Sequence, residues 1–177
     1  LEVDDLLTQV VQAVKQAFGH YHVAIGLVEG DEVVYRYGAG ELWDDPQFTF
    51  KPSRLKVGKE GMTGWVAATG EALLATDVRE EPHYVWMQGS RTQSELTVPI
   101  LVKQQVTGVL DVQSDRLNAF DNTDQVVIQL LANQTGAALE NARLFSAERR
   151  RAEQFRVISE VGRQIVTAAG EQELLEQ

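Results

Sequence analysis

Apolar and polar residues alternate with a period of two across residues 94–114. Leu96, Val98 and Ile100 take every second position before the polar turn at 103–105, and the alternation resumes after that turn. Because successive side chains of a strand point to opposite faces of a sheet, this pattern predicts a β-hairpin with one apolar face. The alternating positions on the other face are mainly polar and include Glu95, Thr97, Thr107, Asp111 and Gln113.

A long helix is predicted to follow this hairpin. Asp121 is a suitable N-cap, and Asp124 stands three residues further on, where its side chain can complete the cap. Nothing in the sequence interrupts a helix between residue 122 and Gly170, which predicts a length of roughly 70 Å. One face of residues 126–145 is apolar and is expected to pack on a domain, whereas residues 146–154 are too polar for a core.

The N-terminal part of the chain predicts further elements. An apolar helical face runs from Val3 to Phe18, and Gly19 is its expected stop. Alternation at 21–28 and 33–39, around the turn Gly30-Asp31, predicts a second hairpin.

The middle of the chain is less regular. Residues 61–69 predict a short helix that Gly70 ends, and residues 73–75 predict a brief strand. The remaining segments, 41–54 and 76–92, predict irregular structure, with at most a short strand at 48–50.

Three motifs, in this order, are similar to those of the GAF domain, the small-molecule sensor module of signalling proteins. Residues 58–78 carry the glycine pattern of that family, a Gly-Glu turn and an Asp-Val pair. The predicted hairpin carries Val-Pro-Ile and Gly-Val-Leu, and the helix entry carries Phe120 and Asp124. Residues 143–145 resemble the end of the family's helix. By their order and spacing, the chain is identified as a member of this family.

The resemblance implies an α+β fold with an antiparallel sheet of about six strands. The N- and C-terminal helices would cover one face of the sheet, and loops and short helices on the other face would enclose a ligand pocket. The GAF sensor domain would span residues 1–145, and residues 146–177 would form a signalling helix. Leu-Leu motifs near both ends of the chain leave open whether a second, similar domain begins there. Because the chain opens on Leu1, we expect it to be a piece of a longer protein.

The resemblance also places the ligand between the sheet and the irregular segments within residues 65–97. Large aromatic residues in an irregular segment suggest a lid, and Arg91 could hold an anionic ligand through two hydrogen bonds. Two alternatives stay open, since Trp65 could be simple core and Arg91 could be solvated or paired with Glu95. The implied ligand-binding residues are Trp65, Asp77, Tyr84, Trp86, Met87, Arg91, Ser94 and Thr97.

Charge and composition limit the partners. The formal net charge of -10 disfavours nucleic acid and anionic membrane surfaces, because phosphate binding depends on Lys and Arg. The chain has no cysteine, which excludes disulfides, thiolate metal sites and covalent attachment of a bilin. A reducing cytoplasm fits this composition. No apolar run reaches the ~20 residues that a membrane helix needs.

Catalysis is not expected from the sequence. GAF-like methionine sulfoxide reductases work through cysteines, which this chain lacks. The glycines near Lys59 suit tight turns better than a phosphate cradle, because the Ser or Thr of a nucleotide-binding loop is missing. Cyclic-nucleotide-binding members carry a Lys after the residue equivalent to Asn118, and this chain does not. His83 could ligate a haem, although a surface histidine is the simpler interpretation.

The long helix predicts a parallel coiled coil. One heptad position holds Leu144, Arg151, Ile158 and Ile165, and the complementary one holds Phe155 and Gly162. Small residues around Gly136 give the helix a narrow surface where another backbone can approach. The predicted homodimer interface contains Leu6, Val10, Gly136, Leu144, Phe155, Ile158 and Ile165.

These features together favour a regulatory sensor domain and not an enzyme. The domain is expected to bind an unknown small molecule and to relay its state through the dimeric helix to an output domain of the same chain. By resemblance, the parent protein is a bacterial histidine kinase of a two-component system, with a cyclic-dinucleotide-metabolising enzyme as one alternative. A second alternative is a GAF domain that binds no ligand and serves as a dimerisation spacer.

Overall fold

The computed structural model of the protein describes residues 3–19, 22–44, 54–87 and 89–175. Within these ranges the helices are α1 (Val3–Phe18), α2 (Glu41–Asp44), α3 (Gly61–Thr69) and α4 (Asn122–Leu175). The strands are β1 (His22–Glu29), β2 (Glu32–Gly40), β3 (Arg54–Lys56), β4 (Leu73–Ala75), β5 (Ser94–Val102) and β6 (Gln105–Ser114).

The strands of the described ranges form one six-stranded sheet in the order β3-β2-β1-β6-β5-β4. Both predicted hairpins are present, and β1 pairs with β6 to join them into one antiparallel sheet. Lys103 and Gln104 have φ angles of 50° and 66°, as a two-residue hairpin turn requires. The predicted α+β fold with an antiparallel sheet is therefore confirmed.

The main apolar core lies on one face of this sheet. Alternate side chains of the central strands pack there against the apolar faces of α1 and of the first turns of α4. Full burial of one such aliphatic side chain contributes roughly 1.5–3 kcal/mol to folding. The fully buried members include Leu7, Val11, Val23, Ile25, Leu96, Val98, Ile100, Leu110, Val112, Ile128 and Ala132.

The predicted helix ends agree with the structure at two places. Asp121 Oδ1 accepts hydrogen bonds from the backbone N–H of Thr123 at 2.7 Å and of Asp124 at 3.0 Å, so Asp121 is the N-cap of α4. The Asp124 side chain completes the box by accepting the backbone N–H of Asp121 at 2.9 Å. Gly70, with φ 72°, ends α3 as predicted.

The segment 41–54, predicted to be irregular, contains structure at both of its ends. Helix α2 begins it, and β3 pairs with Val33 and its neighbours at the edge of the sheet. The sequence of β3 is too short and polar to show alternation, and ion pairs from Arg54 and Lys56 to Glu32 hold it in place. The short strand suggested at 48–50 lies outside the described residues.

Helix α4 continues through Gly170 to Leu175. Residues 1–139 make up one compact unit, and residues 140–177 make up another.

Gly136 requires a correction to the predicted dimer interface. A Cβ atom at this position would lie 2.1 Å from the backbone oxygen of Leu101 in β5. The backbone that approaches Gly136 closely is therefore one from the same domain. The absence of a side chain here lets α4 pack directly on the sheet.

Candidate functional site

The face of the sheet opposite α1 and α4 is covered by α3 and by a segment without regular structure. We call residues 84–87 and 89–92 the cover segment. A cavity of about 80 Å³ lies between this cover and the sheet. Since one water molecule needs about 10–15 Å³ of such space, the cavity can hold a small ligand. The lining residues are Tyr35, Leu55, Gly61, Met62, Thr63, Tyr84, Val85, Met87, Glu95, Asp111 and Gln113.

Two buried acidic side chains, Glu95 of β5 and Asp111 of β6, form the floor of the cavity; we call them the acid pair. In the β5–β6 ladder Glu95 is opposite Gln113 and Asp111 is opposite Thr97, so the two carboxyl groups are diagonal neighbours on one face. Glu95 is 4% exposed and Asp111 is 2% exposed. Charged carboxylates are seldom buried to this degree without a partner cation.

Burial shifts the titration of both acids. It raises the pKa of Asp111 to about 6. Burial, and next the charge of Asp111, raises the pKa of Glu95 well above its usual range. Because two carboxylates this close cannot both ionise easily, the pair is expected to share one proton, held mainly by Glu95.

Neighbouring hydrogen bonds fix the orientation of the acid pair. Gln113 Nε2 donates to Asp111 Oδ2 at 2.9 Å, and the Tyr35 hydroxyl donates to the same oxygen at 3.2 Å. The Thr97 hydroxyl donates to Glu95 Oε1 at 3.1 Å. The other oxygen of Asp111, Oδ1, is buried and accepts no hydrogen bond from an N–H or hydroxyl group of the described residues. This oxygen can therefore accept a hydrogen bond from the protonated carboxyl group of Glu95 or from a bound ligand.

Tyr35 connects the acid pair to α3. Its hydroxyl forms a hydrogen bond with the Thr63 hydroxyl as well as with Asp111. Burial, followed by the charges of Asp111 and Glu95, raises the pKa of Tyr35 well above its usual value. The phenol therefore stays protonated and acts as a donor toward the acid pair.

The cover segment contributes the outer wall of the cavity. Tyr84 packs edge-to-face on Trp86 with 5.1 Å between the ring centroids. Burial, with the charge of Glu95 as the next cause, raises the pKa of the half-buried Tyr84 to about 12. Val85 and Met87 add apolar surface beside the tyrosine. The cavity therefore has an acidic floor and a largely apolar wall.

A chain of hydrogen bonds joins the floor to the cover segment. The Thr92 hydroxyl donates to Gln113 Oε1 at 2.7 Å, and Ser90 bonds to the Thr92 hydroxyl at 2.8 Å. Because its oxygen is engaged by Thr92, the Gln113 amide presents its NH₂ group to Asp111. The position of the cover segment and the orientation of Asp111 are thereby linked.

Three of the predicted ligand-binding residues lie at this cavity or next to it. Tyr84 and Met87 line it. Thr97 is buried and holds the Glu95 carboxyl.

The other predicted ligand-binding residues lie elsewhere. Trp65 packs with the apolar cluster around Val66, its ring 5.6 Å from that of His83. Trp86 is 60% exposed, and Ser94 donates to the backbone oxygen of Arg116 at 2.7 Å. Asp77 forms an ion pair with Arg79, and the 59% exposed side chain of Arg91 forms one with Glu41.

Sequence analysis did not select the acid pair, Gln113 or Tyr35 as site residues. Glu95, Asp111 and Gln113 are polar positions of the alternating hairpin, and Tyr35 lies in a strand that alternates in the same way. Two acids on the polar face of adjacent central strands were the available signal. The resemblance placed a ligand pocket on that face, but the candidate residues were taken mainly from the irregular segments rather than from the polar positions of the strands.

The predicted dimer residues lie in both units. Leu6 and Val10 line an apolar groove of about 370 Å³ between α1 and the Leu131–Ala138 stretch of α4. In the second unit, Leu144, Phe155 and Ile158 are exposed. Ile165 lies beyond the side chains that the structure describes.

Metal and membrane sites are not found in the described residues. No group of three or more His, Asp or Glu side chains there is placed to hold a metal ion. His83 is partly exposed and its Nδ1 lies 2.7 Å from Glu81 Oε1. Among the described helices, none combines the length and apolar character needed to cross a membrane.

The sequence profile of the GAF domain matches residues 1–140, and solved GAF domains share the fold. The chain therefore belongs to the GAF domain family, whose members are regulatory sensor modules of signalling proteins.

Relatives place this domain in longer and in shorter proteins. The chain is 30% identical over 106 residues to the probable 3′,5′-cyclic phosphodiesterase pde-5 of Caenorhabditis elegans; the match covers 58% of the chain and 15% of that protein. It is 29% identical over 132 residues to GAF domain-containing protein A of Dictyostelium discoideum, covering 72% of the chain and 77% of the relative. The chain thus matches only a small part of the phosphodiesterase.

Similar structures include substrate complexes of reductases. The free methionine-R-sulfoxide reductase from Neisseria meningitidis, solved in complex with its substrate, is 28% identical to this chain. The superposition has a TM-score of 0.71 and covers 81% of both chains.

Proposed function

We propose that this GAF domain is a sensor that binds a small ammonium-bearing ligand in the cavity above the acid pair. The observation that carries the proposal is the acid pair itself: Glu95 and Asp111 are buried at the floor of the cavity, and none of the described residues that line the cavity is basic. A ligand that supplies a charged donor would hydrogen-bond these carboxyl groups and compensate the buried negative charge.

The charge of the cavity disfavours the anionic ligand that Arg91 suggested from sequence. Arg91 does not line the cavity and forms ion pairs with Glu41 and Asp115. An anion at the floor would meet Asp111 without a compensating cation, since none of the described lining residues is basic. The apolar wall formed by Leu55, Met62, Val85 and Met87 suits an uncharged side chain on the ligand.

Free amino acids are the ligands of this class to test first. They combine an ammonium group with a compact side chain. Their carboxylate would stay at the solvent side of the cavity, where the lining residue Val85 is 46% exposed, and not at the acidic floor. The similar reductase from Neisseria meningitidis acts on free methionine-R-sulfoxide. We propose binding without turnover for this chain, because it has no cysteine to supply a thiol for sulfoxide reduction.

The relay to an output domain is part of the same proposal. We propose that residues 1–145 form the sensor and that residues 146–177 form a signalling helix of a parallel homodimer. The exposed Leu144, Phe155 and Ile158 support this assignment, because apolar side chains repeated at heptad spacing need a partner helix. The proposed parent protein is a cytoplasmic bacterial histidine kinase, or alternatively a cyclic-dinucleotide-metabolising enzyme.

Titration calorimetry with L-methionine, its sulfoxide and a panel of free amino acids tests the ligand class. We expect at least one of them to bind, and the matching N-acetyl derivative, which lacks the ammonium group, to bind at least tenfold more weakly. Asp111→Asn should weaken binding by roughly 10- to 100-fold, the loss of one charge-assisted hydrogen bond. The control Asp115→Asn removes a carboxylate outside the cavity and should change affinity less than twofold. Equal binding of the N-acetyl derivatives would contradict the proposal.

Sedimentation of Ile158→Glu tests the dimeric helix. A charge in the apolar seam should shift the monomer–dimer equilibrium toward monomer by at least tenfold. Val157→Glu, one residue earlier and outside both heptad positions of the seam, introduces the same charge at an exposed site and should sediment like the wild type. An unchanged profile for Ile158→Glu would remove this residue from the interface. A dimer without amino-acid binding would favour the spacer function.

A further inference from the structure

The acid pair has no basic neighbour within the cavity. Its titratable neighbours on the surrounding elements are Tyr35 on β2 and Tyr84 and Glu81 between β4 and β5. The cavity-lining residues of α3 and β3 are uncharged. The described groups that face the pair are therefore acidic or neutral, so a second negative charge on the pair has no compensating cation among the described residues.

The hydrogen bonds around the pair distinguish its two members. Asp111 Oδ2 receives two donors, Gln113 Nε2 and the Tyr35 hydroxyl, which stabilise a carboxylate. Among the described residues, Glu95 Oε1 accepts one hydrogen bond, from the hydroxyl of Thr97. Asp111 is thus the ionised member, and Glu95 holds the proton in the hydrogen bond between the two carboxyl groups.

We infer that an ammonium ligand takes the place of the proton shared by Glu95 and Asp111, so that binding releases one proton to solvent. This inference rests on the proposed function. The unliganded pair carries one negative charge and one proton; the liganded pair carries two negative charges against the ligand's positive charge. No covalent bond forms or breaks apart from the O–H bond of Glu95, whose proton leaves to water.

Proton release makes ligand affinity depend on pH. While Glu95 is protonated in the unliganded protein and ionised in the complex, affinity should rise about tenfold per pH unit. A ligand that binds through an uncharged donor would leave the proton in place and show no such dependence. Occupancy of the site would then depend both on the concentration of the ammonium ligand and on the pH.

Calorimetry with L-methionine in buffers of different ionisation enthalpy measures the released proton directly. We expect the observed binding enthalpy to vary with buffer as for release of about one proton at pH 7. Glu95→Gln, which cannot ionise, should release none and should lose most of the pH dependence. Glu80→Gln, an exposed acid outside the cavity, should behave like the wild type. Binding of L-methionine by the wild type without proton release would overturn the inference and leave the proposed ligand class intact.

The protein without ligand supplies a second test. Carbon-13 NMR of the Glu side-chain carboxyl groups should show Glu95 protonated at pH 7, assigned by its disappearance in Glu95→Gln. A carboxylate signal for Glu95 at that pH would overturn the inference whether or not any amino acid binds. If Glu95 is protonated but no amino acid binds, the shared proton stands and the proposed ligand class fails.

Discussion

The two faces of the β5–β6 hairpin are equally buried but chemically opposite. Leu96, Val98, Leu110 and their neighbours pack into the aliphatic layer under α1 and α4. One residue away along each strand, Glu95, Thr97, Asp111 and Gln113 are buried against α3 and the cover segment. Burying polar groups opposes folding unless they are fully bonded, so the aliphatic face accounts for stability and the polar face calls for another explanation. Ligand binding is the explanation that we propose.

The largest expected effect is a difference in the free energy of unfolding between substitutions at two adjacent residues of β6. Leu110→Ala should lower the free energy of unfolding by about 2–5 kcal/mol, because it leaves a hole in the aliphatic layer. Asp111→Asn, on the opposite face, should change it by less than 1 kcal/mol, since the amide retains an acceptor for Gln113 and Tyr35. Denaturant unfolding of both variants measures the difference. Equal destabilisation would mean that the polar face is structural.

Gly136→Ala should lower the free energy of unfolding by about 1–3 kcal/mol. The added methyl group would meet the Leu101 carbonyl oxygen, and this clash exceeds the gain of about 1 kcal/mol in helix propensity. Thermal unfolding should show the same loss at low and high protein concentration. Ala137→Ser, at the exposed neighbouring position, is the control. If the loss of stability increased as the protein was diluted, Gly136 would belong to the dimer interface after all.

Glu95→Gln should stabilise the unliganded protein at pH 8, by about 1.4 kcal/mol for each pH unit above the unfolded pKa over which Glu95 stays protonated in the folded protein. Because the pKa of Glu95 is raised on folding, its contribution is favourable below the unfolded value of 4.5 and is lost as the pH rises through the folded one. The difference between variant and wild type should thus shrink toward pH 4.5. Burial lowers the pKa of His22 to about 4. Because His22 is present in both proteins, its contribution cancels in the difference between the variant and the wild type. A pH-independent difference would contradict the buried proton.

Arg91→Ala should have the smallest effect. Its ion pairs with Glu41 and Asp115 are exposed, and such pairs contribute about 0.2–1 kcal/mol. Amino-acid affinity measured by calorimetry should change less than twofold, because Arg91 does not line the cavity. A tenfold loss would restore Arg91 to the ligand site.

Alternation in the sequence predicted which residues share a face, and this was enough for both hairpins; the six-stranded sheet that joins them was implied by the resemblance to the GAF family. The cap at Asp121 and the stop at Gly70 were equally local, because each depends on side chains or φ angles within a few residues. Local pattern could not show that the polar face of the hairpin is covered. Burial of that face depends on the packing of α3 and the cover segment. Helix α3 is distant from the hairpin in sequence, and the cover segment has no hydrophobic periodicity.

The same limit explains the choice of Trp86 and Arg91 as site residues. Both lie in the cover segment, where large side chains without periodic context point either toward the sheet or toward solvent. The side chain of Trp86 is mostly exposed and Arg91 reaches to α2, whereas Tyr84 and Met87 face the cavity. Residue type alone favoured all four equally.

Native mass spectrometry of the wild type and of Asp111→Asn, each as purified from cells and after incubation with free amino acids, tests the central claim most directly. We predict that the wild type carries one added small molecule per protomer and that Asp111→Asn carries none. Equal added mass on both proteins, or a bare wild type under both conditions, would contradict a ligand site built on the acid pair.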